Sequence, residues 1–258
     1  MKHNDVTDMG GVGEAFLTTH WSIIENVGSS DDDKNRALID LLLSKYWKPV
    51  YCYLRRKGHD NEQAKDLTQG FFHEVVLGRS LIQKADQSKG RFRSFMLIAL
   101  NRYLITARTG QAAQKRIPKS KLVPLDVTDL PELRQAASEL TPEDTFNYAW
   151  VSSLLEQVLG EVEAKCHEDG KTVHWHIFGD RVLDPIMEKT EPPSMKEICR
   201  KYAVESEAKA SNMMVTVKRR FQTALMSHLR SLVVSEEQVD EELSEIMRFL
   251  PNMAQDGT

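Results

Sequence analysis

The chain predicts an all-α fold of two helical domains joined by a flexible linker. Three observations carry this. Apolar residues recur at helical spacing along both halves. The periodicity fades from Thr109 to Leu140, where Gly110, Pro118, Pro124 and Pro131 break helices and Lys and Gln are frequent. Residues suited to capping helix N-termini, Asp60, Thr141, Ser194 and Ser206, stand just ahead of periodic stretches.

Residues 1–33 are polar and acidic at both ends around Phe16-Leu17-Thr18-Thr19-His20-Trp21-Ser22, where Thr18 or Thr19 can cap a helix. Asp31-Asp32-Asp33 offers the next cap, and the stripe Ala37, Leu38, Leu41, Leu42, Tyr46, Val50, Tyr51, Leu54 predicts a helix over 34–57. Pro49 is expected to kink or interrupt it, and Gly58 to end it. A second helix from Asp60 to about Leu77 buries Ala64, Leu67, Phe71, Phe72 and Val75, leaving Asp66, Gln69 and His73 outside the stripe. A loop over 79–90 leads to a third helix with Phe92, Phe95, Met96, Ala99, Leu100, Tyr103 and Leu104 inward.

Beyond the linker, Thr141-Pro142-Glu143-Asp144 is a strong helix start, with Pro at the first helical position and acids in the first turn. Helix is predicted from Asp144 to about Ala164, then a short one over 173–187. Both are acidic and poor phosphate binders. Ser194 opens a short helix burying Met195, Ile198, Cys199 and Tyr202. After a turn at Val204-Glu205-Ser206 a long helix runs from Glu207 to Val233, with Ala210, Met214, Val217, Phe221, Leu225, His228 and Leu232 inward. Lys209, Asn212, Val215, Thr216 and Arg219 fall on the opposite face. A short helix, a tight turn and a longer basic helix form a helix-turn-helix, whose second helix enters the DNA major groove. An acidic segment, 235–258, closes the chain with its own apolar stripe at Val239, Leu243, Ile246, Met247 and Leu250.

Charge is segregated. The 258 residues carry formal net charge -4, yet Ser88 to Leu125 holds Lys89, Arg91, Arg93, Arg102 and Arg108, then four further lysines and arginines, without one acid. Segregated positive charge points to a polyanion. Ala208 to Val234 is likewise free of acids and carries Lys209, Lys218, Arg219, Arg220 and Arg230. No apolar run approaches the ~20 residues a membrane helix needs. The N-terminus lacks a basic start and apolar core, and Cys52, Cys166 and Cys199 are scattered, so a reducing cytoplasm is expected. No phosphate loop, nucleophile elbow or HExxH supports an enzyme, and no cofactor is expected. Cys166, His167, His174 and His176 raise zinc as a rival, although their spacing matches no standard site.

From Phe16 to Leu250 the chain resembles a bacterial RNA polymerase sigma factor of the extracytoplasmic-function type. The resemblance rests on the Phe16–Ser22 motif, Tyr46-Trp47-Lys48-Pro49-Val50-Tyr51, Asp66-Leu67-Thr68-Gln69-Gly70-Phe71-Phe72, Gly90-Arg91-Phe92-Arg93-Ser94-Phe95, and the run from Ala210 to Phe221. It implies sigma domain two over 12–109, a linker over 110–140, sigma domain four over 141–234 and an acidic extension over 235–258. Domain two would bind the β′ clamp helices of core RNA polymerase through Asp66 and Gln69 and hold the melted minus-ten element of promoter DNA. Lys89, Arg91, Arg93, Arg102 and Arg108 would supply cations to phosphates. Phe92 and Tyr103 are candidate base-stacking surfaces, set against the usual core role of aromatics at helical spacing. Thr106 departs from the acid or amide common in the family, so base selectivity there is not carried over. Domain four would read the duplex minus-thirty-five element and meet the β flap. Asn212 suits adenine and Lys209 guanine, Thr216 shares their face, and Lys218, Arg219 and Arg220 would grip phosphates. An anti-sigma or other regulatory protein is a further implied partner. The acidic tail is expected to compete with phosphates for the basic surfaces. The alternative function is a stand-alone helix-turn-helix regulator.

Overall fold

The structure, a computed structural model, describes residues 32–77, 92–110, 140–233 and 236–249; side chains at 32–41, 76, 77, 108–110 and 232 also lie outside the description. The Phe16–Ser22 motif, the loop over 79–90, the linker over 111–139 and the end of the tail fall outside those residues. Every described element is helical: α1 (Asp32–Arg56), α2 (Asn61–Phe71), α3 (Phe92–Gly110), α4 (Pro142–Glu168), α5 (Thr172–Phe178), α6 (Asp184–Glu188), α7 (Met195–Tyr202), α8 (Glu207–Leu232) and α9 (Glu236–Arg248). A widened π segment, Phe72–Leu77, extends α2, and another, Gly179–Leu183, joins α5 to α6.

The caps sit where their chemistry predicts. Asp60 accepts from the Gln63 N–H at 2.8 Å, and the Gln63 side chain accepts from the Asp60 N–H at 3.4 Å. Thr141 with Asp144 and Ser194 with Glu197 repeat this reciprocal arrangement, so first-turn N–H groups that the helix cannot satisfy gain partners. Gly58 takes the left-handed conformation, φ 92°, just past α1. Pro49 does not interrupt α1, which runs through it unbroken. Tyr46, Val50, Tyr53 and Leu54 around it are at most 1% exposed, and that packing outweighs the missing N–H bond.

Residues 12–109 and 141–234 do not form separate cores among the described residues. One cluster joins Leu42, Tyr46, Val50 and Leu54 of α1 to Phe146, Trp150, Leu154 and Val158 of α4, and takes in buried residues of α2, α3, α8 and α9. Polar ties reinforce the junction. The Tyr53 hydroxyl lies 2.7 Å from Asn101 Oδ1 on α3 and 3.2 Å from Glu143 Oε1 on α4. Arg56 Nε donates to the Leu140 carbonyl at 2.6 Å. Smaller clusters seat α5 and α7 under α8: Val162, Cys166, Phe178 and Val217 in one, Ile177, Ile198 and Ala210 in the other.

The acidic C-terminal helix α9 folds back onto this body. Val239 and Ile246 are 1% and 0% exposed and belong to the main core. Full burial of each contributes about 1.5–3 kcal/mol to holding α9 in place.

Candidate nucleic-acid interface

The helix-turn-helix is built by α7 and α8. Ala203 ends α7 in the left-handed region, φ 50°, and the Val204 N–H reaches the Cys199 carbonyl at 3.0 Å. Ser206 then accepts from the Lys209 N–H at 3.2 Å and starts α8. Ala210 and Val217 are fully buried, which turns the opposite face outward. Lys209, Asn212, Val215 and Arg219 are exposed on it, and Thr216 lies among them with its hydroxyl donating to the Asn212 carbonyl at 2.9 Å. From Lys209 to Arg219 this stripe spans about 15 Å of helix. Lys209 also pairs with Glu205, 2.9 Å away on the surface; such exposed pairs are weak and exchange readily with another anion. Among the described residues no acid pairs with Lys218 or Arg219.

Arg220 does not join that set. Its guanidinium bonds Asp169 at 2.6 Å and donates to the Lys165 carbonyl at 3.2 Å, so it closes the C-terminal end of α4. That hydrogen bond is the chief reason the Asp169 carboxyl is held below the usual carboxylate range. The phosphate role expected of Arg220 is corrected to a structural one, because its acidic partner was hidden in a helix end 51 residues away.

On α3, Arg102 is exposed, flanked at helical spacing by Ile98 and Ile105, which are 51% and 66% exposed. Lys89, Arg91 and the side chain of Arg108 lie outside the described residues. Arg93 is corrected as a surface cation. It is 4% exposed, lies 2.9 Å from Glu242 Oε2 and donates to Glu245, both on α9, and its guanidinium stands 4.6 Å over the Trp150 ring of α4. Phe92 is core as well, edge-on to Tyr46 at 5.5 Å.

Tyr103 is half-buried with its ring 5.7 Å from Phe71, and its hydroxyl presses on Gly70, where a Cβ atom would stand 2.2 Å away. Burial first, then Glu74, pushes Tyr103 up to about 12. The same α2 presents Glu62, Asp66 and Gln69 at spacings of one helical stripe, with Glu62 and Asp66 exposed and Gln69 half-buried, and His73 follows in the widened segment.

Sequence reasoning missed two polar clusters between helices, the first of them buried. One is the Arg93–Glu242–Glu245 group; its signal was a carboxylate, Glu242, falling on the apolar stripe between Val239 and Ile246. The other joins α4 to α8. His228, 6% exposed, places Nε2 2.9 and 3.0 Å from the two oxygens of Glu161, which fixes the Nε2–H as donor. Lys45 lies near this pair; burial lowers it to about 8 against the pull of Glu161. In the His-rich segment the His167 and His176 rings stand 6.3 Å apart, but among the described residues no group of three or more His, Cys, Asp or Glu side chains is arranged for a metal ion. His167 instead meets Thr172 at 3.0 Å.

No described helix is long and apolar enough to cross a membrane. No protein-family model, curated protein or solved structure matches the chain.

Proposed function

We propose that the chain is a cytoplasmic sigma factor of the extracytoplasmic-function type, which binds core RNA polymerase and directs it to promoters. The observation that carries this reading is the outward face of α8. Lys209, Asn212, Thr216 and Arg219 stand on the solvent side of a helix whose other side is anchored by Ala210 and Val217. Asn212 offers an amide that can donate to adenine N7 and accept from its N6 amino group, Lys209 a donor for guanine, and Arg219 and Lys218 charge for phosphates. Arg102 offers a further cation on α3, and Asp66 with Gln69 the polar stripe on α2 for the β′ clamp helices. The β flap is the contact proposed for the second half, and an anti-sigma protein the proposed regulator.

A second reading, a stand-alone helix-turn-helix regulator, is favoured by the continuous core that joins α1 to α4. Transcription reconstituted with purified core polymerase separates the two. A sigma factor yields promoter-specific transcripts and co-purifies with core. A stand-alone regulator binds promoter DNA and yields none.

A further inference from the structure

We propose that α9 is an internal strap occupying a single-strand DNA site on α3 and α4, with Glu242 and Glu245 standing where backbone phosphates sit once the strap lifts. The inference rests on the promoter-binding reading and adds a ligand and its regulation to one part of that surface.

The residues that Glu242 and Glu245 cover combine two chemistries a nucleotide unit needs. Arg93 supplies a guanidinium for a phosphate, and Trp150, 4.6 Å beneath it, a flat aromatic surface. With α9 seated, Arg93 is 4% and Trp150 6% exposed. Arg93 opens α3, and the exposed Arg102 lies further along the same helix.

The strap is shaped as a substitute anion. Glu242 and Glu245 converge on the one guanidinium, and Glu236, Glu237, Asp240 and Glu241 lie exposed along the rest of α9. A buried ion cluster holds less firmly than an apolar contact of similar size, because each charge recovers its hydration on release. The apolar grip is modest: Val239 and Ile246 are buried, and Leu243 and Phe249 only partly. Arg230 near the end of α8 also pairs with Glu236 at the start of α9, 2.8 Å apart, a weak contact because both groups are exposed. A strand entering the site therefore displaces α9 by replacing its carboxylates with phosphates, and no group is left buried without a counter-charge.

The test uses the full-length protein and fluorescence anisotropy at low salt with labelled oligo-dT and a duplex of the same length. The Glu242→Gln/Glu245→Gln variant is expected to bind oligo-dT roughly tenfold tighter than the native protein, within the usual range of coupling between two ligands competing for one site. Adding Arg93→Ala returns the affinity to the native level. Leu243→Ala/Phe249→Ala, which loosens the strap without touching its charges, gives the same gain. Duplex affinity stays level throughout. The proposal is overturned if both released variants show hydrogen exchange at residues 236–248 yet no gain for oligo-dT, or if the gain survives Arg93→Ala. Core-polymerase binding by the native protein, measured in parallel, tests the sigma reading separately and does not depend on the strap.

Discussion

The Arg220 guanidinium lies 2.6 Å from the Asp169 carboxylate and also donates to the Lys165 carbonyl, tying the DNA-reading helix to the end of α4. Its neighbour Arg219, one residue earlier on α8, faces solvent. One helical step of about 100° separates a structural arginine from a binding one. Arg220→Ala is expected to lower the melting temperature. Asp169 is depressed in the folded state, so its contribution is present above the unfolded value of 3.8 and is lost as pH falls through the folded value below it. The gap in melting temperature between native protein and variant therefore closes below pH 3.8.

Arg219→Ala is expected to weaken promoter binding uniformly across sequences and to reduce the salt slope by about one, the signature of a lost phosphate contact. Asn212→Ala instead costs ~1–3 kcal/mol at one base pair and relaxes specificity there. Anisotropy against a set of single-base-pair promoter variants separates the two patterns. A uniform loss from Asn212→Ala would remove it from base readout.

Gly70 and Tyr103 form a tight pair. A methyl at position 70 would stand 2.2 Å from the Tyr103 hydroxyl but 3.4 Å from the ring carbon bearing it. Gly70→Ala is expected to destabilise by about 1–3 kcal/mol through forced movement of a packed ring. In a Tyr103→Phe background the same change becomes neutral or stabilising, since alanine suits a helix better than glycine by about 0.5–1 kcal/mol. A denaturation double-mutant cycle reads the coupling, and additive effects would refute the clash.

Lys45 gives the alkaline prediction. Burial lowers it from 10.5 to about 8, so the folded state holds its proton less tightly than the unfolded chain. The penalty is complete below about pH 8 and is relieved as pH rises through 10.5, above which both states are neutral. Lys45→Met is expected to be more stable at neutral pH, by on the order of 1–3 kcal/mol. That advantage shrinks through the same window. Urea titrations of both proteins across it provide the check.

Elements whose signals are local were legible in the sequence. The capping pairs at Asp60, Thr141 and Ser194, the glycine stop at Gly58 and the inner face of α8 follow from residues within a few positions of one another. What was not legible depends on long-range placement. Arg93 reads as one basic residue among several until Glu245, 152 positions away, is brought beside it. His228 was assigned inward, but its partner Glu161 lies 67 positions off on another helix. The joining of α1 to α4 across the linker is a matter of matched apolar faces, which periodicity locates on each helix without saying which faces meet. Pro49 misled because the local cost of a proline was weighed without the packing around it.

The central claim is tested most directly by run-off transcription with purified core polymerase and this protein on genomic DNA. The account predicts discrete promoter-specific transcripts, abolished by Asp66→Lys or weakened by Gln69→Ala through loss of core binding while both variants remain folded. Absence of transcripts, together with failure of the native protein to bind core polymerase, would contradict it.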